Sequence, residues 1–88
     1  MAVQVQHDRE RQRFVTIVDG HEAELDYRLS GTVMSITHTG VPRAIEGRGI
    51  AAELMRAALS AASDAGWTVN PVCSYAVAYL RRTSPGSA

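Results

Sequence analysis

Lysine is absent from this 88-residue chain, and all nine of its basic residues are arginine. Nine acidic residues balance them, so the formal net charge at neutral pH is zero. Proteins that bind nucleic acid through charge carry a basic excess, which is missing here. The composition therefore predicts no nucleic-acid partner.

Cysteine and long apolar runs are also scarce. The single cysteine, Cys73, excludes a disulfide within the chain and a zinc site built from cysteine thiolates, and we predict no metal. No apolar run approaches the ~20 residues that span a bilayer, and no secretory apolar segment is visible. The sequence thus predicts a cytoplasmic protein without membrane contact, either a monomer or a weak homodimer.

The remaining composition is that of an ordinary globular domain, with 45% hydrophobic and 20% charged residues. We expect one domain over residues 1–88, with its core at about 14–82 and flexible termini. The small polar tail, residues 83–88, is expected to fray. The charged residues 7–13 are interpreted as a solvated segment rather than a binding patch.

Three strands are predicted in the first half of the chain. Residues 14–18 are rich in β-formers and end at Asp19-Gly20, a hairpin signal. Residues 22–29 alternate apolar and charged side chains, as in a half-buried antiparallel strand. Residues 32–39 form the third strand, and strict alternation places Met34, Ile36 and His38 on one face and Val33, Ser35, Thr37 and Thr39 on the other.

The period becomes helical after Gly49 and stays so until Gly66, a favourable residue just beyond a helix. The expected buried face of this helix consists of Ile50, Leu54, Ala57, Ala58, Ala61 and Ala65. Residues 67–70 make a short strand, parallel to the third one because a helix connects them. Ser74 is expected to cap a last helix over residues 75–82. The predicted order is β-β-β-α-β-α, an α/β (α+β) fold with a mixed sheet.

Two glycines, Gly47 and Gly49, lead into the long helix. A helix N-terminus offers free N–H groups and a positive dipole end, so it favours anions, and a residue without Cβ allows phosphate to approach closely. Arg43 and Arg48 flank this junction. An ordinary glycine-containing loop is the alternative interpretation, and spacing by itself favours the phosphate site only modestly.

The segment Glu46-Gly47-Arg48-Gly49-Ile50-Ala51 resembles the acetyl-CoA pyrophosphate loop of the GNAT acetyltransferase superfamily. Gly49 and Ala51 match the usual pattern of that loop, while Glu46 replaces a Gln or Arg. The wider chain, from Phe14 to Arg82, resembles a compact branch of the superfamily through Asp19-Gly20, Leu25, Tyr27, His38-Thr39, Val41-Pro42, Pro71 and Cys73-Ser74.

This resemblance implies a minimal GNAT core and an acetyl-CoA-dependent transfer of an acetyl group to an amine of a small molecule or a protein. The acetyl-CoA-binding residues that it implies are Thr39, Val41, Arg43, Gly47, Arg48, Gly49, Ile50 and Ala51. The helices that usually precede this core are missing. A CoA-binding module without turnover therefore stays open as an alternative. A nucleotide-phosphate binder is a weaker one, since no Gly-Lys-Ser/Thr sequence is present.

His38 and Cys73 are the candidate catalytic residues. His38 lies at a strand end before the loop, where an imidazole can accept a proton from the amine, and the alternative is a structural anchor. Cys73 precedes a helix start, a position that favours the thiolate, and the alternative is a small buried hydrophobe. Direct transfer is the usual course in GNAT enzymes, and an acetyl-cysteine route also stays open.

The acid that protonates the departing CoA thiolate is not identified. The tyrosine that commonly has this role in the superfamily falls at Leu80 in this chain. Tyr75 and Tyr79 are one helical turn apart, and we expect them to be core contacts rather than acids.

Overall fold

The computed structural model describes residues 3–83, which form a mixed sheet, two α-helices and one short 3₁₀ helix. Of the expected fraying tail, Thr83 ends the last helix, and the rest lies outside the described residues. In chain order the elements are β1 (Gln6–Asp8), β2 (Arg13–Val18), β3 (His21–Ser30), β4 (Val33–Gly40), the 3₁₀ helix (Arg43–Ile45), α1 (Ile50–Ala65), β5 (Thr68–Pro71) and α2 (Ser74–Thr83).

The strands lie in the sheet in their sequence order. Neighbours from β1 to β4 pair antiparallel, and β5 pairs with β4 in parallel. The connection between the parallel strands contains α1, which a parallel crossover requires. The predicted α/β (α+β) class and the predicted strand directions are confirmed.

The first strand, β1, was not expected. The prediction that residues 7–13 form a solvated segment is confirmed for the exposed residues 9–11 and wrong for His7. The His7 ring stacks on Phe14 with their centroids 4.0 Å apart, and its Nε2 lies 2.6 Å from the Tyr27 hydroxyl. The Arg9 guanidinium lies 5.6 Å from the centre of the Trp67 ring. His7 and Arg9 thus contribute to packing at this end of the sheet through their contacts with aromatic rings.

One face of the sheet carries the core, as the alternation in β3 predicts. Its fully buried large side chains are Phe14, Leu25, Met34, Ile36, Ile45, Leu54 and Met55. The opposite face of β3 carries Glu22, Glu24, Asp26 and Arg28, none of which is buried. We call this second, polar side of the sheet the open face.

Helix α1 has the predicted bounds, and Gly66 follows it in a left-handed conformation with φ of 75°. Its buried side chains are Ile50, Leu54, Met55, Ala58 and Ala62. Of the other residues expected on the buried face, Ala57 and Ala61 are partly buried and pack against the core, whereas Ala65 is exposed, so that part of the prediction is wrong. Alanine residues occur on several sides of this helix. The longer Met55 side chain therefore determines which of these sides faces the core. No helix within residues 3–83 has the length and apolar character needed to cross a membrane.

A β-bulge at Thr37 changes the predicted faces of β4. Asp26 pairs with His38 and the next residue, Tyr27, pairs with Ile36, so Thr37 is an extra residue on β4. Its hydroxyl lies 3.3 Å from the Asp26 carbonyl oxygen. The bulge reverses the alternation, so Thr39, opposite Leu25, joins the core face, whereas His38, opposite Asp26, lies on the open face. The predicted grouping of His38 with Met34 and Ile36 is therefore wrong.

Candidate functional site

The candidate site starts where β4 and β5 separate. Their parallel pairing ends at Ile36 and Pro71, while β4 continues to pair with β3 as far as Gly40. The Ile36 carbonyl accepts hydrogen bonds from the N–H groups of both Val72 and Cys73, each at 3.0 Å. Beyond this point none of the described residues forms a strand beside the outer edge of β4, so its N–H and C=O groups face a gap.

Cys73 and Thr39 meet across this gap. The Thr39 Oγ1 lies 3.6 Å from the Cys73 Sγ, and the Ala76 N–H donates to the same sulfur at 3.4 Å. The thiol thus accepts from one of the free N–H groups at the start of α2. The prediction that Ser74 caps this helix is wrong, because Ser74 is its first residue and Cys73 supplies the bond.

The loop that contains Gly47 and Gly49 precedes α1, as predicted. Glycine is required there by the backbone conformation and not by a lack of space for a side chain. Gly47 and Gly49 have φ of +79° and +74°, and a Cβ added to either residue would meet nothing within 4 Å. Side chains rarely adopt this left-handed region. Gly49 is the N-cap and offers no side chain to the helix. The first intrahelical bond runs from the Glu53 N–H to the Gly49 carbonyl, so the N–H groups of residues 50–52 precede it.

An open groove of about 460 Å³ lies at this helix start. Its lining residues are Val41, Ile45, Glu46, Gly47, Gly49, Ile50, Ala51, Ala52, Tyr75 and Arg82. Val41 comes from the loop after β4, whereas Tyr75 and Arg82 lie two turns apart on α2. The groove therefore extends from the N-terminus of α1, where a phosphate could bind, to the end of β4 near Thr39.

The two arginines that flank the loop lie outside the groove. Neither Arg43 nor Arg48 is among the residues that line the groove. Arg48 instead donates from Nη1 to Asp19 Oδ2 at 2.5 Å, in the turn between β2 and β3. Arg82, which the sequence analysis did not single out, is the cation of the groove. The only signal for it is its spacing of seven residues from Tyr75 along the predicted helix.

His38 lies on the other side of the sheet, beside Glu24. Its Nε2 is 3.3 Å from Glu24 Oε2, and the two side chains are 59% and 24% exposed. Gly40 lies directly under this pair, because a Cβ there would come within 2.5 Å of Glu24 Oε2 and 3.0 Å of His38 Nε2. Any larger residue at position 40 would push the pair apart. Sequence reasoning missed both Glu24 and Gly40, because their partnership depends on the strand register.

The structure therefore divides the predicted site residues between two faces of β4. Thr39, Cys73 and the loop residues Gly47, Gly49, Ile50 and Ala51 lie along the side that carries the helices. His38 faces the opposite side. Tyr79 is buried in the core as expected, whereas Tyr75 lines the groove. Among residues 3–83, no group of three His, Cys, Asp or Glu side chains is placed to hold a metal ion.

Residues 13–85 match the family model of the GCN5-related N-acetyltransferases. Curated relatives include the protein NATD1 of Gallus gallus, which is 37% identical over 82 residues, covering 90% of this chain and 74% of that protein. The human NATD1 is 35% identical, with coverage of 90% and 73%.

The same architecture occurs in a GCN5-like protein from Staphylococcus aureus whose solution structure was determined by NMR. It superposes with a TM-score of 0.71 at 24% sequence identity, over 90% of this chain and 78% of that one. At this level of identity the likeness concerns the fold.

Proposed function

Because the chain belongs to the GCN5-related N-acetyltransferase family, we propose that it transfers an acetyl group from acetyl-CoA to an amine. The observation that carries this proposal is the gap between β4 and β5. It holds the only thiol of the chain and leads, along the groove, to an uncapped helix N-terminus. Acetyl-CoA supplies an acetyl group activated as a thioester, on a long arm that ends in phosphates.

The residues present fit such a ligand. The N–H groups at the start of α1 would bind the pyrophosphate, with Gly47, Gly49, Ile50 and Ala51 forming the loop. Arg82 adds a positive charge in the groove, and Arg43 and Arg48 would add charge from its rim. Glu46 also lines the groove and opposes the binding of an anion. Backbone groups of Thr39 and Val41 would bond to the arm at the free edge of β4.

His38 would serve the acceptor. It lies on the open face, where the Glu24 carboxylate orients one ring nitrogen at 3.3 Å and leaves the other for a substrate. A primary amine reaches the gap as an ammonium group and needs to lose a proton before it attacks, and a histidine is suited to accept that proton. The acceptor thus approaches from the face opposite to the groove. The acidic row on β3 suits a positively charged acceptor.

Two routes fit this arrangement. In the direct route, the amine nitrogen attacks the acetyl carbon and the CoA thiolate departs. In the covalent route, the Cys73 thiolate attacks first, its bond to the acetyl carbon replaces the bond to the CoA sulfur, and the CoA thiolate takes a proton from water. The amine then attacks the acetyl-cysteine and releases the Cys73 thiolate. Direct attack is the usual course in this superfamily, and we keep it as the first of the two.

Mass spectrometry separates these routes. Mixing the protein with acetyl-CoA alone adds an acetyl group to Cys73 only on the covalent route, and Cys73→Ser would remove this adduct. The chain has no lysine, so acetylation of its own amines is confined to its N-terminus. A Cys73→Ala variant with full turnover and no adduct in the wild type would establish direct attack.

The function itself is tested by offering the protein acetyl-CoA and a panel of amines and basic peptides. An acetylated product together with free CoA supports the transferase. A CoA-binding module without turnover is the alternative. It is favoured by the open face, where the described residues leave the acceptor side without a covering helix. Tight CoA binding without any acetylated product across the panel would decide for that alternative.

A further inference from the structure

We propose that the Thr39 hydroxyl positions the Cys73 thiol and stabilises its thiolate form. The inference rests on the proposed function in placing acetyl transfer at the gap between β4 and β5. It assigns to the Thr39 side chain a role separate from the backbone contacts with acetyl-CoA. Thr39 acts through Cys73, so it is a positioning residue.

The bulge is what brings Thr39 to the sulfur. If Thr37 were paired regularly with β3 instead of forming the bulge, strict alternation would place the Thr39 side chain on the open face, away from Cys73. With the bulge, Thr39 faces the same side as Leu25 and Ile36, and its hydroxyl lies 3.6 Å from the Cys73 Sγ. The irregularity in β4 therefore creates this contact.

The backbone on both sides of the contact is fixed. Thr39 is paired with Leu25 in the sheet, and the Cys73 N–H donates to the Ile36 carbonyl at 3.0 Å. The sulfur is thus held between two independent elements, the end of β4 and the start of α2. Its distance to Thr39 depends on the register of the sheet and not on a mobile loop.

The two neighbours of the sulfur are suited to a negative charge. The Ala76 N–H donates to Sγ at 3.4 Å from the first turn of α2. A neutral thiol can donate to the Thr39 oxygen or accept from its hydroxyl. A thiolate has no proton and can only accept. Ionisation of Cys73 therefore gives a sulfur with two donors, and hydrogen bonds to an ionised group are stronger than those to a neutral one.

Alkylation of Cys73 tests this proposal without acetyl-CoA. Because the chain has one cysteine, the rate at which iodoacetamide adds to the folded protein, followed by intact mass, reports this thiol alone. Thr39→Val keeps the shape of the side chain and removes the hydroxyl, whereas Thr39→Ser keeps the hydroxyl. At pH 7.5 we expect Thr39→Val to react about three- to tenfold more slowly, since a smaller thiolate fraction outweighs the higher intrinsic reactivity of each thiolate.

Thr39→Ser should react within about twofold of the wild type if the single hydrogen bond is kept. Thr68→Val, an exposed threonine on β5, is the matched control and should leave the rate unchanged. The ultraviolet absorbance of the thiolate, measured against a Cys73→Ser form of each protein, should fall in Thr39→Val and return in Thr39→Ser. Rates in urea should be equal for all variants, which shows that only the folded state differs.

A wild-type rate and absorbance in folded Thr39→Val would overturn the proposal, as would an equal loss in Thr39→Ser. Circular dichroism shows whether each variant folds, and Thr39→Ala replaces Thr39→Val if the latter does not. The assay contains no acetyl donor, so its result is independent of the amine panel. A slow Thr39→Val together with no acetylated product would contradict the transferase and still establish the hydrogen bond.

Discussion

The two ends of the sheet differ in how completely their strands pair. From β1 to β3 every strand residue has a partner, and an aromatic cluster of His7, Phe14 and Tyr27 closes that end. Between β4 and β5 the pairing stops after a few residues, next to a bulge. Regular pairing at one end satisfies the backbone hydrogen bonds of the strands, and the interruption at the other end leaves backbone groups of β4 unpaired beside the Cys73 thiol, where we propose acetyl transfer.

The closed end also differs in its electrostatics. Burial lowers the pKa of His7 from 6.5, and the nearby Arg9 lowers it further while Asp8 acts in the opposite direction. Burial raises the pKa of Tyr27 from 10.0. Both groups are therefore neutral at pH 7, and the Tyr27 hydroxyl is hydrogen-bonded to the His7 Nε2. The aromatic groups of this end thus carry no charge at neutral pH, whereas the open end presents N–H groups that favour an anion.

The largest expected effect is on CoA binding at the open end, the region where β4 and β5 separate. Gly49→Glu should abolish CoA binding, because the new carboxylate would stand at the helix N-terminus and repel the pyrophosphate. The left-handed backbone also costs about 1–2 kcal/mol for a residue with a Cβ. Calorimetric titration with CoA measures the loss of binding.

Gly31→Glu is the matched control for that strain. Gly31 has φ of +60° and, like Gly49, has no atom within 4 Å of an added Cβ, but it lies in the turn between β3 and β4. This variant should lose similar stability and keep its CoA affinity. Wild-type affinity in folded Gly49→Glu would contradict the placement of the pyrophosphate.

The next effect concerns turnover. His38→Ala should lower kcat by about 10²–10⁴, the range for loss of a general base, with nearly unchanged affinity for acetyl-CoA. His21→Ala removes an exposed histidine at the start of β3 and should keep full activity. Initial rates of CoA release and calorimetry separate the two quantities. If His38→Ala retains most of its activity, His38 is a structural partner of Glu24.

At the closed end, acid should weaken the fold through His7. Its pKa is lower in the folded than in the unfolded chain, so below pH 6.5 the unfolded state binds more protons and the free energy of unfolding falls. In His7→Gln this loss between pH 7 and pH 5.5 should be smaller, although the loss of ring stacking makes the variant about 0.5–1.5 kcal/mol less stable at pH 7.

Urea titrations at several pH values measure this slope. His21→Gln is the control, since His21 is exposed, and it should keep the wild-type dependence on pH. An unchanged slope in His7→Gln would mean that other groups cause the sensitivity to acid.

The smallest expected effect concerns the ion pair of Arg48 and Asp19, which joins the loop before α1 to the turn between β2 and β3. Asp19→Asn should release Arg48 toward the groove and tighten CoA binding by less than about 1 kcal/mol, since exposed ion pairs are weak. Glu22→Gln removes a nearby exposed charge without touching Arg48, and thus controls for the general field. Weaker CoA binding in Asp19→Asn would show that this pair supports the loop.

The parts of the fold that follow a simple period were predictable from the sequence. The bounds of α1 come from regular apolar spacing between two glycines, and the two faces of β3 come from strict alternation. The position of Gly49 at the helix start follows from the same pattern. These features depend on local chemistry, which a single sequence contains.

The parts that failed depend on partners distant in the chain. Nothing in residues 33–40 marks Thr37 as a bulge, because the signal is the register with β3. For the same reason the pairing of Glu24 with His38 over Gly40 was not predictable. β1 was missed because its histidine, His7, is placed by Phe14 and Tyr27, which a local pattern does not contain.

The bulge at Thr37 has a consequence for how this kind of site can change. Because Thr37 is left out of the pairing with β3, Thr39 meets Cys73 on one face and His38 meets Glu24 on the other. If Thr37 were paired regularly instead, strict alternation would exchange these two faces without altering any side chain. The proposed separation of acetyl donor and acceptor would therefore depend on this single irregularity in strand pairing.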